Sequence, residues 1–202
     1  MFANELVLAS GSPRRQELLK LLDRPFTVVV PNVPEERVPN ESAKAYVQRL
    51  ALSKARAGAT LAPPHSLVLG ADTVVVCDDD VLEKPSDYDH FVAMMKRLSG
   101  RSHYAITAVA AVLGEKENVV VSHAKVTFKA LSEEEIDHYW QSGEPQDKAG
   151  GYGIQGRASK FVTHLEGSYF AVVGLPMYET EQLIQTMELD ERYAHRNPRC
   201  VN

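Results

Sequence analysis

The sequence predicts an α/β protein, and three features support this prediction. Apolar runs of strand length alternate with segments of helical spacing throughout the chain. The run from Leu67 to Val76 is apolar apart from Asp72 and Thr73, which is typical of a strand covered on both faces. The 202 residues contain no internal repeat or linker, so we expect one domain over residues 1–202.

Helix caps and turn residues separate the elements of the first half. Ser12 and Pro13 are a favourable N-cap and first residue for a helix that carries Leu18, Leu19 and Leu22 on one side. Three prolines favour a loop after the second strand. The predicted order is strand 6–9, helix 13–22, strand 26–30, loop 31–40, helix 42–58, strand 67–76, an acidic turn at 78–80 leading into 81–85, and helix 87–98.

The second half is divided by glycines and by one clear helix start. Ser132 and Glu135 have the spacing of a capping box. The segment 143–160 holds five glycines and is too long for a simple connector, so we expect it to be functional. The predicted order is a hairpin of 103–113 and 119–131, a helix from Ser132 to Trp140, the loop 143–160, a second hairpin of 161–165 and 169–173 around Gly167, a last helix from Pro176, and a polar tail at about 190–202 that we expect to fray.

Composition excludes several classes of protein. The chain has 22 Lys and Arg against 27 Asp and Glu, a formal net charge of −5, which argues against a general nucleic-acid binder. Its two cysteines, Cys77 and Cys200, cannot build a disulfide framework or a thiolate zinc site. No apolar run approaches the ~20 residues of a membrane span. We therefore expect a cytoplasmic protein without a nucleic-acid or membrane partner.

The first candidate site is the segment 10–15, between the first strand and the first helix. The amides of a helix N-terminus favour an anion, and Arg14 and Arg15 add guanidinium groups that suit phosphate. Cations in a first helical turn are mildly unfavourable unless an anion meets them. The alternative is an ordinary surface helix with solvated arginines.

Lys54 and Asp72 are charged residues at positions predicted to face inward. Lys54 continues the apolar stripe of Val47 and Leu50 at helical spacing, so it either snorkels outward or points into a cleft that holds negative charge. Asp72 interrupts the most apolar strand, where an unpaired carboxylate is costly. Asp72 is either one half of a structural ion pair, or a metal ligand or general base at an active site.

The segment 143–160, called the glycine-rich loop below, supplies the third candidate site. Residues 151–156 spell G-x-G-x-x-G, but the strand and helix that a dinucleotide site requires are not predicted around them. We interpret the segment as a backbone loop that closes over a ligand, with the amide of Gln155 able to read a base edge. The sequence has no phosphate-binding P-loop, no nucleophile elbow and no clustered histidines.

Four motifs together resemble the Maf family of nucleoside triphosphate pyrophosphatases. They are Ala9–Arg15, Gly70–Val75, Glu83–Pro85 and Asp147–Gly156, and the resemblance spans roughly residues 5–188. It implies a Maf/ITPase-like α/β fold, a bent mixed β-sheet with flanking helices and two lobes around a central cleft. It also implies a homodimer.

Within that family the sequence is most similar to the branch that acts on dTTP and UTP. That branch has arginine, threonine and glutamine at the positions of Arg14, Thr73 and Gln155, which are therefore implied to set substrate specificity. The sibling branch that acts on 7-methyl-GTP commonly has an aromatic residue, a glutamine and a glutamate there. The chain matches the dTTP and UTP branch at all three positions.

The resemblance also implies the remaining roles. Asp72 would accept the proton of the attacking water, and Glu35 would join it in holding a divalent cation, Mg²⁺ or Mn²⁺, with the neighbouring Glu36 as the alternative ligand. The residues implied to bind the triphosphate are Ser10, Ser12, Arg14, Arg15, Lys54, Lys84 and Lys148.

The predicted activity is hydrolysis of the α,β phosphoanhydride bond, which yields a nucleoside monophosphate and pyrophosphate. A divalent ion and fixed cations would offset the negative charge around phosphorus. Two other functions stay open at this point. One is a nucleotide-binding regulator of septum formation or cell division that does not turn substrate over, and the other is a phosphatase that removes terminal phosphates.

Overall fold

The computed structural model describes residues 4–196 and contains a mixed β-sheet with flanking helices, which confirms the predicted α/β class. The strands are β1 (Leu6–Ala9), β2 (Phe26–Val29), β3 (Leu67–Cys77), β4 (Asp80–Leu82), β5 (Ser102–Leu113), β6 (Lys116–Phe128) and β7 (Val162–Gly167). The helices are α1 (Pro13–Lys20), α2 (Ala43–Ala59), α3 (Tyr88–Leu98), α4 (Glu133–Gln141), α5 (Tyr169–Val173) and α6 (Met177–Arg196).

The strand order is β2-β1-β3-β5-β6-β7, with β4 paired to β3 off this path. The three strands β2, β1 and β3 are parallel, and the pairs from β3 through β7 are antiparallel. The predicted long hairpin is confirmed as β5–β6, and the predicted capping box opens α4. The sheet therefore changes from parallel to antiparallel at β3.

One edge of β3 has a gap in its strand pairing. On this edge the pairing of β3 with β1 ends at Gly70, and the pairing of β3 with β4 starts only at Val75. The opposite edge pairs with β5 without interruption from Val68 to Val76. Residues 71–74 are thus left without a strand partner on one side, within the part of the chain described. Such breaks in sheet order are places where α/β proteins bind ligands.

Alternation along β3 sends neighbouring side chains of this gap to opposite faces. Leu69, Ala71 and Val75 belong to the larger apolar cluster, whereas Val74 packs in the cluster that α2 covers. Because side chains alternate along a strand, the side chain of Asp72 lies on the α2 face of the sheet and that of Thr73 on the opposite face.

Helix α2 approaches β3 closely because β3 carries a glycine at the contact. A Cβ atom on Gly70 would lie 2.3 Å from the carbonyl oxygen of Ala51 and 2.4 Å from the amide nitrogen of Ala55. No side chain fits between these backbones. The close approach brings this turn of α2, which also carries Lys54, beside the pairing gap.

The second predicted hairpin is wrong in its second strand. Val162–Gly167 is a strand and pairs with β6, but Tyr169–Val173 forms the short helix α5. Ser168 caps this helix by accepting a hydrogen bond from the amide of Ala171. A five-residue apolar run has no periodicity that separates strand from helix, so the local cap and the tertiary contacts decide.

Smaller differences occur in the predicted loop and the last helix. The segment 143–160 contains short 3-10 turns at Glu144–Asp147, Ala149–Gly151 and Arg157–Phe161. Pro176 lies just before α6, and its carbonyl accepts the first hydrogen bond, from Thr180. The helix extends past residue 190 to Arg196, and residues 197–202 of the predicted tail lie outside the described residues.

A buried histidine of the sheet, His103, contacts the glycine-rich loop through Tyr152. His103 of β5 is 1% exposed, and its Nε2 lies 2.8 Å from the hydroxyl of Tyr152. Its Nδ1 is buried without a hydrogen-bond partner in the described structure. Burial lowers the pKa of His103 to about 4, since protonation would place an unpaired N–H in the core.

Because the pKa of His103 is lowered by folding, we expect the stability of the protein to fall as the pH is lowered. In the unfolded chain the histidine binds a proton near pH 6.5, whereas in the folded chain it does so only near pH 4. The free energy of unfolding therefore falls by roughly 2 kcal/mol between pH 7 and pH 5. In His103→Gln we expect the free energy of unfolding, measured in urea, to fall by about 2 kcal/mol less than in the parent protein over this interval. Equal losses in the two proteins would contradict the assignment of this pH dependence to His103.

Candidate active site

The pairing gap of β3 opens into a cleft of about 760 Å³. Segments that are far apart in sequence line it, including the start of α1, the middle of α2, the gap itself and the glycine-rich loop. Every residue that the sequence predicts for the site lines this cleft: Ser10, Ser12, Arg14, Arg15, Glu35, Lys54, Asp72, Thr73, Lys84, Lys148 and Gln155.

Lys54 lies between two carboxylates at the centre of the cleft. Its Nζ is 2.7 Å from Asp72 Oδ1 and 2.6 Å from Glu35 Oε1. The side chains of Lys54 and Asp72 are 14% and 11% exposed, so this ion pair is largely removed from water. The lysine points into the cleft toward two carboxylates, and the buried aspartate is neutralised by a protein cation.

The structure brings Glu35, and not its neighbour Glu36, to this centre. Glu35 Oε2 also lies 3.6 Å from Lys84 Nζ. Burial alone acts to raise the pKa of Glu35, but the contacts with Lys54 and Lys84 outweigh it and hold the pKa below its ordinary value. Glu36 is exposed and absent from the cleft lining.

The N-terminus of α1 faces the cleft without a side-chain cap. Ser12 occupies the N-cap position as predicted, but its hydroxyl makes no capping hydrogen bond, and its amide instead donates to Ser10 Oγ at 3.2 Å. The first-turn amides of Arg14 and Arg15 have no hydrogen-bond acceptor among the described residues. These free donors suit an anion.

Arg15 is tied to the protein rather than free in the cleft. Its Nε donates to the carbonyl of Gly174 at 2.8 Å, and its Nη2 lies 3.2 Å from the hydroxyl oxygen of Thr73. Burial lowers the pKa of Arg15 below its ordinary value, and the Asp72 carboxylate opposes this shift. Arg15 therefore anchors the gap as well as lining the cleft.

The glycine-rich loop carries its own ion pairs at the rim. Asp147 lies 2.6 Å from Lys148 Nζ and 3.5 Å from Arg14 Nη1, so it links the loop to the start of α1. Lys148 Nζ also donates to the carbonyl of Glu144 at 2.6 Å. A bound anion would compete with Asp147 for both cations.

Glu144 was not predicted from the sequence, although it organises the loop that presents Gln155. Its carboxylate accepts a hydrogen bond from the hydroxyl of Tyr139 at 2.8 Å and from the amide of Arg157 at 2.9 Å. A Cβ atom on Gly156 would lie 2.3 Å from this carboxylate, so a side chain at position 156 would displace Glu144 from its hydrogen bonds. No local pattern marks this role, since its partners are brought together by the fold.

The donor set fits a divalent cation that arrives with a polyanion. No group of three or more His, Cys, Asp or Glu side chains that could hold a metal occurs within the described residues. Asp72 and Glu35 nevertheless converge on one cation, and Mg²⁺ is commonly held by one or two carboxylates together with substrate phosphates. The cleft lining also has equal numbers of basic and acidic side chains, so the protein alone supplies no excess positive charge.

Fold and site together define an α/β protein whose cleft combines fixed cations, free helix amides and paired carboxylates, which are the components of enzymes that act on phosphate groups. The chain belongs to the Maf family, because the family model described as "Maf-like protein" matches residues 5–187.

Several relatives of known name are similar over nearly their whole length. A dTTP/UTP pyrophosphatase of Vibrio parahaemolyticus is 58% identical over 89% of this chain and 95% of its own. The protein of the same name from Vibrio cholerae is 54% identical over 91% and 98%, and that from Yersinia pestis is 51% identical over 98% of both chains.

Solved structures give a more distant likeness. A nucleoside-triphosphatase / dITP/XTP pyrophosphatase from Mycobacterium abscessus has a TM-score of 0.42 and 23% identity over 61% of this chain and 74% of its own. Within residues 4–196, no helix combines the length and apolar character needed to cross a membrane.

Proposed function

We propose that this protein hydrolyses dTTP and UTP to the nucleoside monophosphate and pyrophosphate. The observation that carries the proposal is the cleft at the β3 gap, where carboxylates, cations and free helix amides converge on one volume. Relatives named dTTP/UTP pyrophosphatase at 51–58% identity support the same substrates.

Asp72 is the proposed general base. Its Oδ1 is held by Lys54, while its Oδ2 has no hydrogen-bond partner among residues 4–196 and is available to accept a proton from water. The ammonium of Lys54 keeps the carboxylate in a fixed orientation, and a positioned base of this kind contributes about 10²–10⁴-fold to a rate.

The proposed triphosphate site extends from Asp72 toward the start of α1. The free amides of α1 and the side chains of Ser10, Ser12 and Arg14 would bind phosphate oxygens on one side, and Lys84 and Lys148 on the other. Lys54 and Arg15 line the floor. Fixed donors of this kind stabilise the negative charge that develops at phosphorus without reorganising.

Asp72 and Glu35 are the proposed ligands of a divalent cation, Mg²⁺ or Mn²⁺. Such an ion, when bound, supplies charge neutralisation and polarises the phosphoryl oxygens. When the divalent ion is absent, the ammonium of Lys54 holds the two carboxylates together. This contact keeps the acidic pair arranged for a cation.

Arg14, Thr73 and Gln155 are proposed to select the base, which the resemblance to the dTTP and UTP branch of the family supports. All three line the cleft, and Gln155 is exposed to it from the loop that Glu144 orders. A cytoplasmic location and a homodimer are further proposals. The resemblance to the family supports the homodimer, and the composition of the chain supports the location.

A product assay tests the proposed function. The purified protein is incubated with each nucleoside triphosphate, with Mg²⁺ or Mn²⁺, and monophosphate, pyrophosphate and orthophosphate are quantified. We expect pyrophosphate and monophosphate in equal amounts, with the highest kcat/KM for dTTP and UTP. Release of orthophosphate alone would indicate a phosphatase, and tight binding without products would indicate a nucleotide-binding regulator.

A further inference from the structure

Thr107 lies behind the cleft at the buried end of a hydrogen-bond chain. It is fully buried on β5, directly opposite Thr73 in the register of β3 and β5, and the two hydroxyl oxygens are 2.8 Å apart. Thr107 Oγ1 also lies 2.7 Å from the carbonyl oxygen of Ala171. This carbonyl is in the last turn of α5, where helical carbonyls lack partners within their own helix.

Counting hydrogens fixes the direction of each bond in this chain. The carbonyl of Ala171 can only accept, so the single hydroxyl hydrogen of Thr107 is donated to it. Thr107 must then accept from Thr73, which uses the single hydroxyl hydrogen of Thr73. The guanidinium of Arg15 can only donate, and it occupies one lone pair of Thr73 Oγ1. Thr73 therefore offers a ligand one lone pair and no hydrogen.

The hydroxyl of Thr73 is left accessible by a glycine. Thr73 lines the cleft, and a Cβ atom on Gly174 would lie 3.4 Å from Thr73 Oγ1 and 3.5 Å from Arg15 Nε. A Cβ atom there would touch this pair at van der Waals distance, whereas glycine leaves the pair uncovered on that side. The hydroxyl oxygen of Thr73 is therefore accessible from the cleft, and its contact with the buried Thr107 determines that it accepts hydrogen bonds.

We propose that Thr107 is a positioning residue that makes Thr73 an obligate acceptor, so that the cleft favours a pyrimidine whose ring N3 carries a hydrogen. This inference rests on the proposed function, in which Thr73 contacts the base. The N3 of uracil and thymine donates a hydrogen bond, whereas the N3 of cytosine presents a lone pair and would face the lone pair of Thr73. Donation from Thr73 to Thr107 also strengthens Thr73 as an acceptor.

The first test compares UTP with CTP in Thr107→Val, which keeps the shape of the side chain and removes its hydroxyl. Without Thr107 as acceptor, the hydrogen of Thr73 becomes free to point at cytosine N3. We expect the ratio of kcat/KM for UTP to that for CTP to fall about tenfold, the effect of one mispaired hydrogen bond. Thr107→Ser keeps the hydroxyl and should retain the parent ratio.

A double-mutant cycle separates this role from a structural one. In a Thr73→Val background, Thr107→Val should leave the UTP to CTP ratio unchanged, because its effect passes through the hydroxyl of Thr73. A loss of packing would instead lower kcat/KM for both nucleotides in parallel. A parallel loss, or a further change of ratio in the Thr73→Val background, would overturn the inference.

A chemical probe on the unaltered protein keeps the proposal testable if Thr107→Val fails to fold. The triphosphate of 3-methyluridine lacks the N3 hydrogen, and the triphosphate of 5-methyluridine is its matched control. We expect kcat/KM to fall at least about tenfold for the 3-methyl compound and to stay near that of UTP for the control. Equal turnover of the 3-methyl compound and UTP would overturn the inference, whereas no turnover of UTP itself would overturn the proposed function.

Discussion

Replacing Asp72 by asparagine is expected to lower kcat by about a hundredfold or more, the usual effect of losing a general base. The side-chain carbonyl of asparagine can still accept the hydrogen bond that Lys54 now donates to Asp72 Oδ1 at 2.7 Å. The amide has no basicity, however, and cannot take a proton from water. The expected loss is therefore in kcat, with KM less affected.

This experiment is measured as pyrophosphate release from UTP at saturating substrate, with thermal unfolding as a check on the fold. Asp80→Asn is a matched control, since Asp80 lies at the exposed start of β4 and pairs with Arg97 outside the cleft. We expect the control to turn over like the parent protein. Unimpaired turnover by Asp72→Asn would remove this residue from the chemistry.

The location of Asp72 and Lys54 could be predicted because local patterns mark both residues. The apolar strand and the helical stripe each place a charged side chain where an apolar one is expected, and the structure joins the two at 2.7 Å. The sequence alone left open whether the partner of Asp72 is a protein cation or a ligand. The structure supplies the protein cation and also places the pair in the cleft.

Contacts between distant segments could not be predicted in this way. Arg15 shares the predicted phosphate-binding role of its neighbour, but its guanidinium donates a hydrogen bond to the carbonyl of Gly174, which is brought near by the fold. The second predicted hairpin was wrong for a related reason, since the apolar run 169–173 fits either a strand or a helix and Ser168 caps it as a helix. Glu144 and Thr107 act through tertiary hydrogen bonds that leave no local signal.

Replacing Lys54 by methionine is expected to destabilise the fold by about 3 kcal/mol near neutral pH, because it leaves a buried carboxylate without its cation. Glu35 and Asp72 both contact the ammonium of Lys54, so its removal leaves two negative groups facing each other. Lys44→Met, on the exposed side of α2, is the matched control and should change stability by less than about 0.5 kcal/mol. Lys54→Arg keeps the charge and should retain most of the stability.

In Lys54→Met the contribution of the Glu35 and Asp72 pair to the pH dependence of stability should reverse in sign, whereas the contribution of His103 is common to both proteins. In the parent protein the pKa of Glu35 is held low, so the stability that this group contributes is present above its ordinary pKa and is lost as the pH falls. Two neighbouring carboxylates without the ammonium instead bind a proton more readily when folded than when unfolded. The deficit of Lys54→Met relative to the parent protein should therefore shrink between pH 8 and pH 5, as measured by urea unfolding.

The same variant tests whether this acidic pair can hold a divalent ion without measuring turnover. In the parent protein the ammonium of Lys54 lies between the carboxylates, whereas in Lys54→Met a bound Mg²⁺ or Mn²⁺ would take over its role. Because a ligand that binds only the folded state stabilises it, added metal should raise the Tm of Lys54→Met more than that of the parent protein. Adding Glu35→Gln to Lys54→Met removes one proposed ligand and should abolish the excess rise. An equal rise in Tm in all three proteins would show that the metal binds elsewhere and would contradict the assignment of Asp72 and Glu35 as its ligands.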